Sequence, residues 1–175
     1  DDQAVAGLQD HLEALGVKGK PDEVTKVAGS ATDFNAKVIL LTGLGSTDAP
    51  PQGTPRLDDS APDTLSAEAL RRAAGAATAK LNGNTKVTVA LPAESAAHVT
   101  AIAEGATIGT YTFAGYKSSQ NDDESDEPTH VELEVLTSVA DAPTLIERAG
   151  VVARATFVAR DLVNTAPSHL FPATF

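Results

Sequence analysis

The sequence predicts a layered α/β fold, and three observations carry that prediction. Lys37–Thr42 and Lys86–Leu91 are aliphatic, β-branched runs, the pattern of strands buried on both faces of an α/β sheet. Segments with apolar residues at helical spacing lie between and after them. His130–Leu136 instead sets Val131, Leu133 and Val135 against Glu132 and Glu134, the period-two pattern of an edge strand with one wet face. Strands alternating with helices imply stacked layers joined by right-handed crossovers. At 175 residues, 42% hydrophobic and 21% charged, the chain fits one globular domain.

Taken in order, Gln3–Leu15 carries Val5, Leu8, Leu12 and Leu15 on one helical face, with Gly16 and Gly19-Lys20-Pro21 as its stop. Val24–Ala28 predicts a short strand. The run Lys37–Thr42 follows, closed by Gly43 and Gly45, and the proline-rich, polar stretch Ser46–Asp63 reads as a loop. From Ser66 a helix is expected, with Ser66 as its cap and Glu68 near the positive end of its dipole. Its inward stripe is Leu70, Ala73, Ala74, Ala77 and Leu81, and Asn82-Gly83-Asn84 ends it.

After the strand Lys86–Leu91, Glu94–Thr107 reads as a helix with Val99, Ile102, Ala103 and Ala106 inward. Tyr111–Tyr116 concentrates aromatic residues in a chain that has few, and Ser118–Thr129 is polar and acidic. Pro143–Asn164 predicts a long helix with Leu145, Ala149, Val152, Thr156, Ala159 and Val163 on one stripe. Asn164 tolerates left-handed backbone and reads as its terminator; Pro167 and Pro172 then hold the chain extended.

Composition narrows the functional classes. With no cysteine the chain has no disulfide, thiolate metal site or cysteine nucleophile, a usage that fits the cytoplasm. With no methionine and an acidic start at Asp1, residue 1 is expected not to be the natural start, and the positive end of a signal peptide is missing. A net charge of −11, from 13 basic against 24 acidic residues, disfavours nucleic acid and anionic membranes as partners.

No complete active site can be assembled from the motifs. Gly43-Leu-Gly-Ser-Thr47 follows a strand, but it lacks the dinucleotide spacing and the Gly-Lys-Ser/Thr of a phosphate loop. The acidic run Asp122–Glu127 lacks the glycine and distal glutamate of a calcium loop. His11, His98, His130 and His169 do not have zinc-site spacing, and no serine elbow occurs. Asp141, Glu147 and Asp161 are spread along the last helix and its entry without pairing.

Ala159-Arg-Asp-Leu-Val-Asn164-Thr-Ala-Pro167-Ser-His-Leu-Phe-Pro172 resembles the segment that joins the two domains of the leucyl (cytosol) aminopeptidase family. Asn164, Thr165, Pro167 and Pro172 match its pattern, while Ala166 stands where proline is common. Lys37–Gly45, Leu70–Gly75 and Glu104–Lys117 resemble the same family in the same order.

The resemblance implies a three-layer, macro-domain-like fold with a mostly parallel mixed sheet flanked by helices. It further implies a non-catalytic domain over 1–163 and a connector over 164–175, marked by Asn164, Pro167 and Pro172. The catalytic domain would follow, holding two divalent metal ions (manganese or zinc) in a cytoplasmic, hexameric exopeptidase that removes N-terminal amino acids. That family's metal-ligand motifs do not occur in these residues, so no catalytic, cofactor-binding or metal residue is assigned. The partner expected is the chain's own catalytic domain, with no nucleic acid and no membrane; the alternative is a stand-alone module binding a nucleotide or ADP-ribose.

Overall fold

The lengths of the connections decide how the strands pair. The computed structural model describes residues 12, 14–32, 34–45, 65–81, 86–113 and 131–170. Strands β1 (Val24–Ala28) and β2 (Val38–Thr42) are antiparallel, with Val24 opposite Thr42 and Ala28 opposite Val38. Residues 29–37 between them, which include a 3-10 turn at Gly29–Ala31, are fewer than the dozen or so that a parallel crossover needs. Strands β3 (Lys86–Val89) and β4 (Glu132–Val135) are separated by a helix and pair in parallel, with Lys86 opposite Glu132 and Val89 opposite Val135.

Among the described residues these are two separate two-stranded sheets. The α/β class is thus observed, but the expected single, mostly parallel sheet is not. The strand expected to be central and doubly buried, β2, is half-buried along its whole length. The strand β3 alternates as well: Lys86 and Thr88 are exposed, while Val87 and Val89 face inward. Its Lys-Val-Thr-Val sequence already has period two, a pattern hidden by treating threonine as part of an aliphatic run.

Among the described residues three full helices pack together: α1 (Ala67–Thr78), α2 (Ala96–Gly109) and α3 (Ala142–Asn164). Ser66 caps α1 by accepting from the Ala69 N–H at 3.1 Å, and Ser95 caps α2 by accepting from the His98 N–H at 3.2 Å. Each cap satisfies a donor that the first helical turn leaves open. Leu70, Ala73 and Ala74 are buried on α1 as the spacing predicts, but Ala77 is only half-buried and Thr78 completes the face. Thr78 tolerates burial because its hydroxyl donates to the Ala74 carbonyl at 3.0 Å. On α2, Val99, Ile102, Ala103 and Ala106 are buried as expected, joined by Ala101 and Gly105.

Small residues let α1 and α2 approach closely. A Cβ on Gly105 would lie 2.0 Å from the Arg71 carbonyl oxygen, and one on Gly109 would lie 2.4 Å from that of Gly75. Thr42 then ties β2 to α1 by donating its hydroxyl to the Ala73 carbonyl at 3.1 Å. Leu70, Ala74, Ala93, Val99, Ile102, Ala106 and Ala142 form the central core, with Val89, Leu133, Val135 and Ile146 packed around it. No aromatic side chain is among those core residues.

The inward line of α3 differs from the expected stripe. Ala142, Ala149 and Ala153 are buried, whereas Val152, Ala159 and Val163 are exposed. Nor does Asn164 terminate α3 in a left-handed conformation. It is the last helical residue, and Asp22 is the one non-glycine with positive φ among the described residues. Thr165 (φ −73°, ψ 130°) and Ala166 (φ −62°, ψ 140°) turn extended instead, as Pro167 requires of the residue before it. Residues 1–11, Ser46–Asp63, Asn82–Asn84 and Asp122–Glu127 lie outside the described residues; Leu12 and Ala14 are helical.

Candidate interdomain connector

The end of α3 is held by one aromatic residue that follows α2. Tyr111 donates its hydroxyl to Asp161 Oδ1 at 2.8 Å and accepts from Asn164 Nδ2 at 3.1 Å. Its ring meets that of Phe157 at 5.3 Å between centroids, tilted by 40°, and the Arg160 guanidinium lies 5.3 Å from its ring centre. Arg160 Nη1 also donates to the Ile108 carbonyl at 3.5 Å. Partial burial, followed by the hydrogen bond to the Asp161 carboxylate, holds the Tyr111 hydroxyl above the ordinary phenol range.

Phe157, Arg160, Asp161 and Asn164 recur at i, i+3, i+4 and i+7, one face of a helix. That spacing was legible in the sequence, but it mixes apolar, charged and amide side chains and so escapes a search for apolar stripes. Just beyond it, the Thr165 hydroxyl and amide both bond to the Asp161 carbonyl, at 2.7 and 2.9 Å. These bonds take up a carbonyl that the helix end would otherwise leave open. Of the expected connector residues, Asn164 thus belongs to α3 and is anchored to Tyr111, and Pro167 opens a 3-10 turn, Pro167–His169. Pro172 lies outside the described residues.

An open groove beside this contact is lined by Asp22, Arg71, Arg72, Gly75, Tyr111 and Arg160. Three arginines on one surface of an acidic chain suggest an anion site, but each is engaged. Arg71 pairs with Glu68, Arg72 with Asp22, and Arg160 sits over Tyr111. Carboxylates already at two of the guanidiniums offset most of the field an anion would feel.

The remaining candidates are not brought together. The glycine loop after β2 spends its donors internally: the Gly43 N–H donates to the Glu23 carbonyl at 2.8 Å and that of Gly45 to Gly19 at 2.9 Å. A phosphate would need those same N–H groups; Ser46 and Thr47 lie outside the described residues. The His98 Nε2 donates to the Leu65 carbonyl at 3.1 Å. His169 is in the 3-10 turn after α3, and His11 and His130 lie outside the described residues. Among the described residues no three His, Cys, Asp or Glu side chains are grouped to hold a metal ion. The chain's described residues therefore do not fit a two-metal centre. No described helix is long and apolar enough to cross a membrane.

Comparison with known proteins places this domain. A profile of the cytosol aminopeptidase family, N-terminal domain, matches residues 1–120. A probable cytosol aminopeptidase of Micrococcus luteus is 43% identical over 99% of the chain, and one of Nocardia farcinica is 39% identical over 97%. The chain spans 32% and 30% of their respective lengths. Among solved structures, the bottromycin maturation enzyme BotP shares the fold, with a TM-score of 0.67 at 23% identity over 94% of this chain and 32% of its own. The chain belongs to the cytosol aminopeptidase family, and what it carries is that family's N-terminal domain.

Proposed function

We propose that this chain is the non-catalytic N-terminal domain of a metal-dependent aminopeptidase that removes N-terminal amino acids from peptides. The observation that carries the reading is the alignment of nearly the whole chain with the probable cytosol aminopeptidase of Micrococcus luteus, three times as long. On this reading residues 1–163 form the domain and residues 164–175, with Asn164, Pro167 and Pro172, lead to a catalytic domain. The two divalent ions, manganese or zinc, belong to that following domain. The N-terminal domain supports assembly of a cytoplasmic hexamer, and its two described sheets are parts of a macro-like, three-layer arrangement.

The experiment is a comparison of the 175-residue chain with the full-length polypeptide on leucyl substrates, with manganese or zinc added. Turnover is expected only from the full-length polypeptide. Hydrolysis by the 175-residue chain, or an inactive full-length polypeptide, would overturn the reading. The stand-alone ligand-binding alternative predicts heat on titrating ADP-ribose or nucleotides into the chain. The internal bonding of the Gly43 and Gly45 amides leads us to expect none.

A further inference from the structure

The second half of α3 is apolar on its outer side as well as toward the core. Val151, Val152, Val158, Leu162 and Val163 are 53%, 43%, 60%, 37% and 84% exposed, and Ala155 and Ala159 are exposed beside them. At about 100° per residue these seven side chains fill a sector roughly 140° wide. No charged residue of 151–163 falls within it: Arg154 and Asp161 flank it, and Arg160 points to Tyr111. A contiguous exposed apolar face on a helix whose other side is already in a core marks a surface that a partner covers.

The stripe also has a direction. Ala142, Leu145, Ile146 and Ala149, in the first half of α3, pack on the domain's own core. Exposure is instead concentrated toward Val163, where the connector begins. The surface is limited: Val151 to Val163 spans about 18 Å of helix, and these exposures amount to on the order of 500 Å² of accessible face, below the ~800 Å² per partner of a stable complex. Two copies, each at −11, would in addition repel one another. A partner on the same polypeptide needs far less area, because a short tether supplies an effective concentration in the millimolar range.

We infer that the outer face of α3, Val151 through Val163, is the seat of the catalytic domain that follows in the same polypeptide. The helix is then shared, with one side in the core of the N-terminal domain and the other covered by its neighbour. The inference rests on the proposed function only for the existence of that following domain. It predicts an apolar, not a charged, counterpart surface.

The absence of cysteine from the chain makes thiol labelling a clean test. Val158→Cys, Val163→Cys and an exposed control away from α3, Lys26→Cys on β1, are prepared in both the 175-residue chain and the full-length polypeptide. Labelling at each position is followed by mass spectrometry. Positions 158 and 163 are expected to react about 10-fold or more slowly in the full-length polypeptide, as buried thiols do, with position 26 unchanged. Equal rates at 158 and 163 in the two contexts would overturn the inference. So would slowing in the 175-residue chain that grows with its concentration, which would assign the face to a second copy. Leucyl hydrolysis measured on the same full-length samples separates the two readings. Slowed labelling in an inactive sample keeps the docking face and removes the proposed function; equal labelling in an active one does the reverse.

Discussion

Tyr111 donates a hydrogen bond to Asp161 across 50 residues of sequence, at 2.8 Å, and thereby fixes the last turn of α3 to the end of α2. Asn164 donates to the same hydroxyl, so one phenol orients the residues from which the connector departs. Tyr111→Phe keeps the ring contact with Phe157 and removes both bonds. The expected result is faster amide exchange over residues 160–164 and a midpoint lower by about 2–3 °C, with α1 unaffected. Unchanged exchange at the α3 end would show that ring packing alone holds it.

The same contact has a pH signature. The partly buried Tyr111 hydroxyl, next to Asp161, is held above the ordinary phenol value. A phenol whose folded value is raised contributes stability while it is neutral. That contribution is present below about pH 10 and is lost as pH rises through the folded value. In a Tyr116→Phe background, ultraviolet titration is expected to show a midpoint above 10. Asp161→Asn should lower it.

Two helical glycines, Gly105 on α2 and Gly150 on α3, give predictions of opposite sign. Gly105→Ala places a Cβ 2.0 Å from the Arg71 carbonyl oxygen, so α1 and α2 must separate, at a cost of about 2–3 kcal/mol. Gly150 is also helical, but its Cβ would meet only Arg154 Nη1, at 3.7 Å. Gly150→Ala is therefore expected to stabilise by roughly 0.5–1 kcal/mol through helix propensity. Urea unfolding of both variants checks the pair.

At the parallel pair of strands, Lys86 Nζ lies 2.7 Å from Glu134 Oε1, and the Thr88 hydroxyl donates to Oε2 at 3.2 Å. The Lys86 ammonium hydrogen bond, then that from Thr88, holds the Glu134 carboxyl below its ordinary range. A depressed carboxyl stabilises the fold above its unfolded value of about 4.3, and the contribution disappears as pH falls through the folded value. Carboxyl NMR titration should show a low midpoint for Glu134 that returns toward the ordinary value in Lys86→Gln. Because the pair is exposed, added salt should weaken the shift.

Local rules carried much of this fold. Ser66 capping α1, the inward face of α2, the Leu70, Ala73 and Ala74 part of that of α1, and the period-two strand β4 follow from nearest-neighbour chemistry, and each was legible from spacing alone. Where two local answers were equally good, the sequence could not choose. The second half of α3 offers an apolar residue on almost every side, so periodicity had no contrast with which to tell Ala153 from Val152. Packing decided: alanines at 142, 149 and 153 let α3 approach the core, and the bulkier valines were left outside. Likewise Asn164 could have ended its helix in a left-handed turn. Tyr111, brought from 53 residues away, supplied a partner for its amide.

By itself, then, the sequence determined the α/β class, the helix starts and the resemblance of its closing segment to an interdomain connector, because these depend on residues close together along the chain. Tertiary structure alone decided which side of α3 faces the core and the hold of Tyr111 on Asp161 and Asn164. Those depend on contacts between residues far apart in the chain, and their geometry exists only once the helices have packed.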